Sequence, residues 1–248
     1  MAGQNMGAPS IGYLRRFAVN RPGEPEVIRQ RFFDHLLLIG AGTTQLNFFQ
    51  QPVGQGVTTA AGATVGSTKT LADTNMKLAG QLPALVNFVI QSIEVTIEPG
   101  SSLAASTFVG QKPALVTNPA SLAAAQAQLE VMNDPDTFYK SGWLELNIGN
   151  KNYLTEAPLG AFPPKTQTVI STAMAAATGT AALAIGAAYT ALKSNKAGRP
   201  YFVDPAISLM SNQNFVVSLN WPGAVALPST FNARVGVILD GFTYRASQ

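Results

Sequence analysis

The feature that most constrains this chain is the alternation near its C-terminus. In Phe215-Val-Val-Ser-Leu-Asn-Trp221 the large apolar residues Phe215, Val217, Leu219 and Trp221 share one parity, and Ser218 and Asn220 hold the other. A period of two belongs to an extended strand with one face packed on a core. The run Val235-Gly-Val-Ile-Leu continues the pattern, and Asp240-Gly241 follows it, a dipeptide that predicts a hairpin turn because glycine accepts positive φ. Four or five short strands are thus expected within Arg199–Gln248, and a mainly β chain, an antiparallel β-sandwich, is the fold they imply.

The rest of the chain adds strands of the same kind. Arg31-Phe-Phe-Asp-His-Leu-Leu-Leu-Ile39 is an apolar run that ends at Gly40-Ala-Gly42. A dinucleotide site is excluded there, since Gln45 stands where a third glycine belongs and no helix follows to hold a pyrophosphate. Gly54 to Thr70 reads as a loop or a flat, weakly specified hairpin. In Phe88–Glu98, Phe88 and Ile90 share one parity while Ile93, Val95 and Ile97 take the other. One extra residue at Gln91-Ser92, a β-bulge, would turn both sets to the same side. Trp143–Ile148 alternates again, Gly149-Asn150 turns it into Lys151–Leu154, and Tyr201–Val203 adds a further strand.

Two segments break the pattern. Asn118-Pro119 opens an expected helix to about Met132, with Asn as cap, Pro at a tolerated position and Leu122, Ala125, Leu129 and Met132 on one face. Asp134-Pro-Asp136 reads as its stop. Thr166–Leu192 carries no charge and is built mainly from Ala, Thr and Gly. It suits an Ala-rich helix in a subunit interface, a long loop with a helical turn, or a lipid-facing helix.

Chemistry is scarce. The one histidine, His35, alternates in its strand with Asp34, so the two side chains face opposite sides and cannot couple. Absence of cysteine removes disulfides and thiolate chemistry. No nucleophile elbow, phosphate loop or metal-binding spacing is visible, and Asn133-Asp-Pro-Asp136 lacks the downstream glutamate of a calcium loop. The chain is therefore read as no enzyme, with no cofactor, no metal and no small-molecule substrate. Charged residues make up 12% of it, about half the usual share, which points to a surface covered by other subunits. The first thirty residues form a Gly-, Pro- and Arg-rich arm without the charged start and apolar run of a secretory signal. Arg15, Arg16, Arg21, Arg29 and Arg31 are the candidate contacts to a subunit, a genome or lipid, set against a solvated, locally salt-bridged segment.

Recurrent alternating strands at Phe88–Glu98, Trp143–Ile148, Tyr201–Val203, Phe215–Trp221 and Val235–Leu239, long insertions, low charge and the ending Val237–Arg245 together resemble the viral jelly-roll major capsid proteins. The likeness is to those of tailless icosahedral bacteriophages, membrane-containing ones included. The resemblance implies an arm at 1–30 and a jelly-roll sandwich at 31–248, with insertions at 118–136 and 166–196. Roughly ten strand candidates suit a single eight-stranded jelly roll better than a compact double one. It also implies self-assembly into a virion shell after synthesis in host cytoplasm. The partners would be copies of the chain, other virion proteins, and an internal membrane or genome. Ser218, Asn220, Ile238 and Asp240 then become solvent-side candidates for contact with neighbouring copies. The alternative is a carbohydrate- or receptor-binding sandwich, spike or lectin-like, for which Trp143 is the candidate platform and Trp221 is read as core.

Overall fold

The computed structural model describes residues 26–58, 64–99, 130, 133–164, 167–171, 192–196 and 200–245. Its strands are β1 (Glu26–Leu38), β2 (Gln45–Phe48), β3 (Gly56–Thr58), β4 (Thr64–Thr68), β5 (Val86–Pro99), β6 (Trp143–Ile148), β7 (Lys151–Pro158), β8 (Gln167–Ser171), β9 (Leu192–Lys196), β10 (Tyr201–Leu209), β11 (Phe215–Asn220) and β12 (Ala233–Arg245). A helix, α1 (Asp134–Ser141), precedes β6, and a 3-10 turn (Leu159–Ala161) follows β7. Two four-stranded antiparallel sheets carry the fold, in the orders β1-β12-β5-β10 and β2-β11-β6-β7.

One core unites the sheets. Phe32, Leu36 and Leu38 of β1, Phe88, Ile90, Ile93 and Val95 of β5, and Val235, Val237 and Leu239 of β12 pack in one buried cluster with Leu144, Leu146 and Ile148 of β6 and Phe215, Val217 and Leu219 of β11. Trp221 joins this cluster and stacks near Phe138 of α1, with ring centroids 5.8 Å apart. Alternation read from the sequence thus meets its cause: each inward parity is apolar because a second sheet lies over it.

The bulge of β5 falls where the parity changes. Asp240 pairs with Ser92 and Gly241 with Ile90, so Gln91 is the extra residue. Without it Phe88 and Ile90 would point away from Ile93 and Val95; with it all four are buried in the same core. Asp240-Gly241 is no hairpin turn. Both lie inside the thirteen-residue β12, and among its described residues the C-terminal block holds three strands rather than four or five. Glycine is required at 241 for another reason: a Cβ there would stand 1.9 Å from the Val89 carbonyl oxygen. A glycine inside a strand can mark close backbone approach as well as a turn.

Other expectations shift in the same way. β1 begins at Glu26, inside the stretch read as an arm, so Arg29 is a strand residue. Asp134-Pro-Asp136 opens a helix of its own: Pro135 sits in the first turn of α1, where its missing N–H costs nothing, and the two aspartates face the positive end of the helix. The helix expected at 118–132 lies outside the described residues apart from Glu130. The uncharged stretch begins and ends in strand: β8 and β9 pair antiparallel from Gln167↔Lys196 to Ser171↔Leu192, and 172–191 lie outside the described residues. Gly54–Thr70 does contain a hairpin, β3 with β4, and Gly149, at a φ of 57°, turns β6 into β7 as expected.

The outward parities are more covered than alternation implies. Ser218 and Asn220 on β11 are 5% and 8% exposed, and Asp240 on β12 is 1% exposed, so these three are not free contact residues. Ser218 donates to Asn47 and Gln45 donates to Asn220, strand to strand across the outer face. On the other sheet Ser92 and Glu94 of β5 are also buried, and Ile238 is half-buried. A covered second face accounts for an isoleucine on the polar parity.

Candidate functional site

Strand β1 carries the two described members of the arginine set. Arg31 is the register partner of Asp240, and Arg29 lies two residues away on the same outer face. Arg29 Nη2 and Nε donate to the two oxygens of Asp240, at 2.9 and 3.3 Å. Arg31 Nε approaches the same carboxylate at 3.7 Å. The carboxylate is almost wholly buried while the arginine side chains stay 64% and 54% exposed. Hydrogen bonding to Asp240 and its charge raise the Arg29 pKa further above its ordinary value. Two guanidinium groups thus share one carboxylate on an outer strand face. Arg15, Arg16 and Arg21 lie outside the described residues.

Beside that face lies a buried network the sequence reading did not assemble. Asp34 sits on the inward parity of β1 with Phe32 and Leu36, and Lys69 follows β4. Lys69 Nζ donates to Asp34 Oδ1 at 2.5 Å, both side chains are 0% exposed, and the Phe49 N–H donates to Asp34 Oδ2 at 2.6 Å. Burial pushes the Asp34 carboxyl up and the Lys69 amine down, each only partly opposed by the charge of the other. Asp73, also fully buried, accepts from the Thr70 N–H and hydroxyl and from Arg234. One sequence signal existed: a carboxylate on the apolar parity Phe32-Asp34-Leu36-Leu38. Nothing local marked Lys69 as its partner.

His35 faces away from Asp34, as alternation requires. Its Nδ1 lies 3.0 Å from the Asp73 carbonyl oxygen, its backbone N–H donates to the same oxygen, and its ring lies against Gly236, its register partner. Burial, aided by the charge of Arg234, lowers its pKa to about 4, so the ring is neutral at neutral pH. At the other end, Asp134 in the first turn of α1 accepts from the Ser229 N–H at 2.9 Å and its hydroxyl at 2.5 Å. Burial raises its pKa despite these bonds.

Beyond Phe32 the inward parity of β1 emerges from the core. Glu26, Ile28 and Gln30 line an open cleft of about 210 Å³ with Met76, Pro83 and Val86, and Glu26 is ion-paired with Arg245 across it. Ile28 is 46% exposed there. No group of three metal-ligating side chains occurs among the described residues, and no described helix is long and apolar enough to cross a membrane. Trp143 is half-buried, with its indole N–H donated to Glu145 at 3.0 Å.

The chain matches no protein-family model, no curated protein and no solved structure.

Proposed function

We propose that this chain is the building block of an icosahedral viral capsid, a single jelly roll that works by assembling with copies of itself. The observation that carries the reading is the pairing of the eight main strands. Taken in chain order, the first (β1) pairs with the eighth (β12), the second (β2) with the seventh (β11), the third (β5) with the sixth (β10) and the fourth (β6) with the fifth (β7). Such pairing supports the reading, because a jelly roll is one long antiparallel hairpin rolled into two sheets, a form used by capsid and lectin domains. A double jelly roll would need a second such set.

Fold does not imply function, so the shell reading leans on further features. Low charge and large exposed apolar residues such as Leu71 and Leu85, at 73% and 72%, suit a surface that neighbours cover. Arg29 and Arg31 offer positive charge to a neighbouring copy, a genome or lipid headgroups. The work of such a protein is many weak contacts repeated around symmetry axes, which close a container when the rotations close. Its place is the virion, its partners other copies and other virion proteins. For the binding-module alternative, Trp221 is core and Trp143 is hydrogen-bonded in place, so neither offers an open platform.

Size-exclusion chromatography with negative-stain imaging of the purified full chain tests the reading. Particles of megadalton size or ordered lattices are expected; a monodisperse monomer at high concentration would overturn it. Flotation with liposomes, with and without residues 166–192, separates lipid contact from packing between subunits.

A further inference from the structure

We propose that Lys69 and Asp34 condense into an intramolecular amide, an isopeptide crosslink that the folded chain makes on itself. The inference is independent of the shell reading. Lys69 Nζ stands 2.5 Å from Asp34 Oδ1, and both side chains are fully excluded from solvent. A second oxygen, Oδ2, is held by the Phe49 N–H at 2.6 Å, placed to stabilise the negative oxygen that forms when an amine adds to the carboxyl carbon. Asp73 is also 0% exposed, and its charge favours the ammonium form of Lys69, against the larger effect of burial, which favours the amine.

The step balances without any added reagent. One proton passes from the ammonium to the carboxylate, giving amine and acid; Nζ attacks Cγ, the C–N bond forms, the C–O bond to Oδ1 breaks and one water leaves. Burial favours the neutral forms of both partners, which are the forms that react. In dilute water a carboxylate and an ammonium do not condense. A fixed pair in a dry site differs, because oriented groups reach effective concentrations of roughly 10⁵–10⁸ M and the water released is not replaced. Condensation also removes two buried charges whose desolvation is otherwise costly.

The crosslink would join edge strand β1 to the segment after β4, closing residues 34–69 into a covalent loop. Mass spectrometry reads it directly. The full chain, denatured, is expected to be lighter than its sequence mass by one water. Residues 32–77 contain no Lys or Arg except Lys69 and Lys77, so an amide on Lys69 blocks tryptic cleavage there, and 32–77 should emerge as one peptide lacking one water. Lys69→Met should restore the full mass. A wild-type chain of full mass, or free peptides 32–69 and 70–77 in its digest, overturns the proposal whether or not the variant folds. So does a water loss that persists in Lys69→Met, which would place the dehydration elsewhere.

Discussion

The carbonyl oxygen of Val89 occupies the place that a side chain on Gly241 would need: a Cβ there would lie 1.9 Å from it. The clash is with backbone at the centre of a sheet, where neither strand can move without breaking its ladder. Gly241→Ala is expected to destabilise the protein by roughly 3 kcal/mol, the upper end for an overpacked core. Urea denaturation monitored by tryptophan fluorescence measures it, and an unchanged midpoint would refute the close approach.

Gln91 is present for its backbone. Gln91→Ala should cost under about 1 kcal/mol, because the side chain is half-buried and the bulge survives. Deleting residue 91 should leave no folded protein, because Phe88 and Ile90 would exchange faces with Val89. Circular dichroism and solubility of the two variants separate the effects.

His35 gives a stability that depends on pH. Its pKa falls from an ordinary 6.5 to about 4 on folding, so between those values the unfolded chain holds more protons. Stability from this group is whole above pH 6.5 and declines as pH falls toward 4, by roughly 3 kcal/mol at about 1.4 kcal/mol per unit. Asp134, raised by burial, runs the other way, its contribution falling as pH rises. The comparison with His35→Gln therefore isolates the histidine: the difference in unfolding free energy between wild type and variant should narrow as pH drops from 7 to 4. A constant difference would contradict the shift.

Asp240 and its arginines should respond unequally. The carboxylate is buried and the guanidinium groups are exposed, so removing both arginines takes two cations from a buried charge, whereas removing the charge lets the arginines hydrate. Arg29→Ala with Arg31→Ala is expected to cost roughly 1–3 kcal/mol, more than Asp240→Asn. Adding Asp240→Asn to the double variant should recover stability. Thermal unfolding of the three proteins at one pH decides it; additive losses would contradict the coupling.

Asp134→Ala should cost roughly 1–3 kcal/mol by leaving the buried Ser229 N–H and hydroxyl without their acceptor. Hydrogen exchange should accelerate at Ser229 in the variant; unchanged protection there would show that the aspartate does not hold the segment.

Much of the sandwich was legible because its signals are local. Alternation in Trp143–Ile148 and Phe215–Trp221, the turn at Gly149-Asn150 and the parity switch around Gln91 each follow from a few neighbouring residues. The same local reading misjudged Asp240-Gly241, since the dipeptide that favours a hairpin turn also satisfies a crowded strand interior, and only the position of Val89 distinguishes them. It did not find the start of α1 at Asp134-Pro-Asp136, because proline and aspartate suit both the stop of one helix and the first turn of another.

What the sequence determined by itself is which residues of each strand face inward, because side-chain direction follows from the pleat alone. Only the tertiary structure decided what those faces meet. Lys69 stands against Asp34, two arginines of β1 hold the carboxylate of β12, and Ser218 and Asn220 are covered on a face that alternation leaves open. Each of these depends on which strand lies beside which. Pairing is set by contacts far apart in the chain, and a period of two carries no information about the partner.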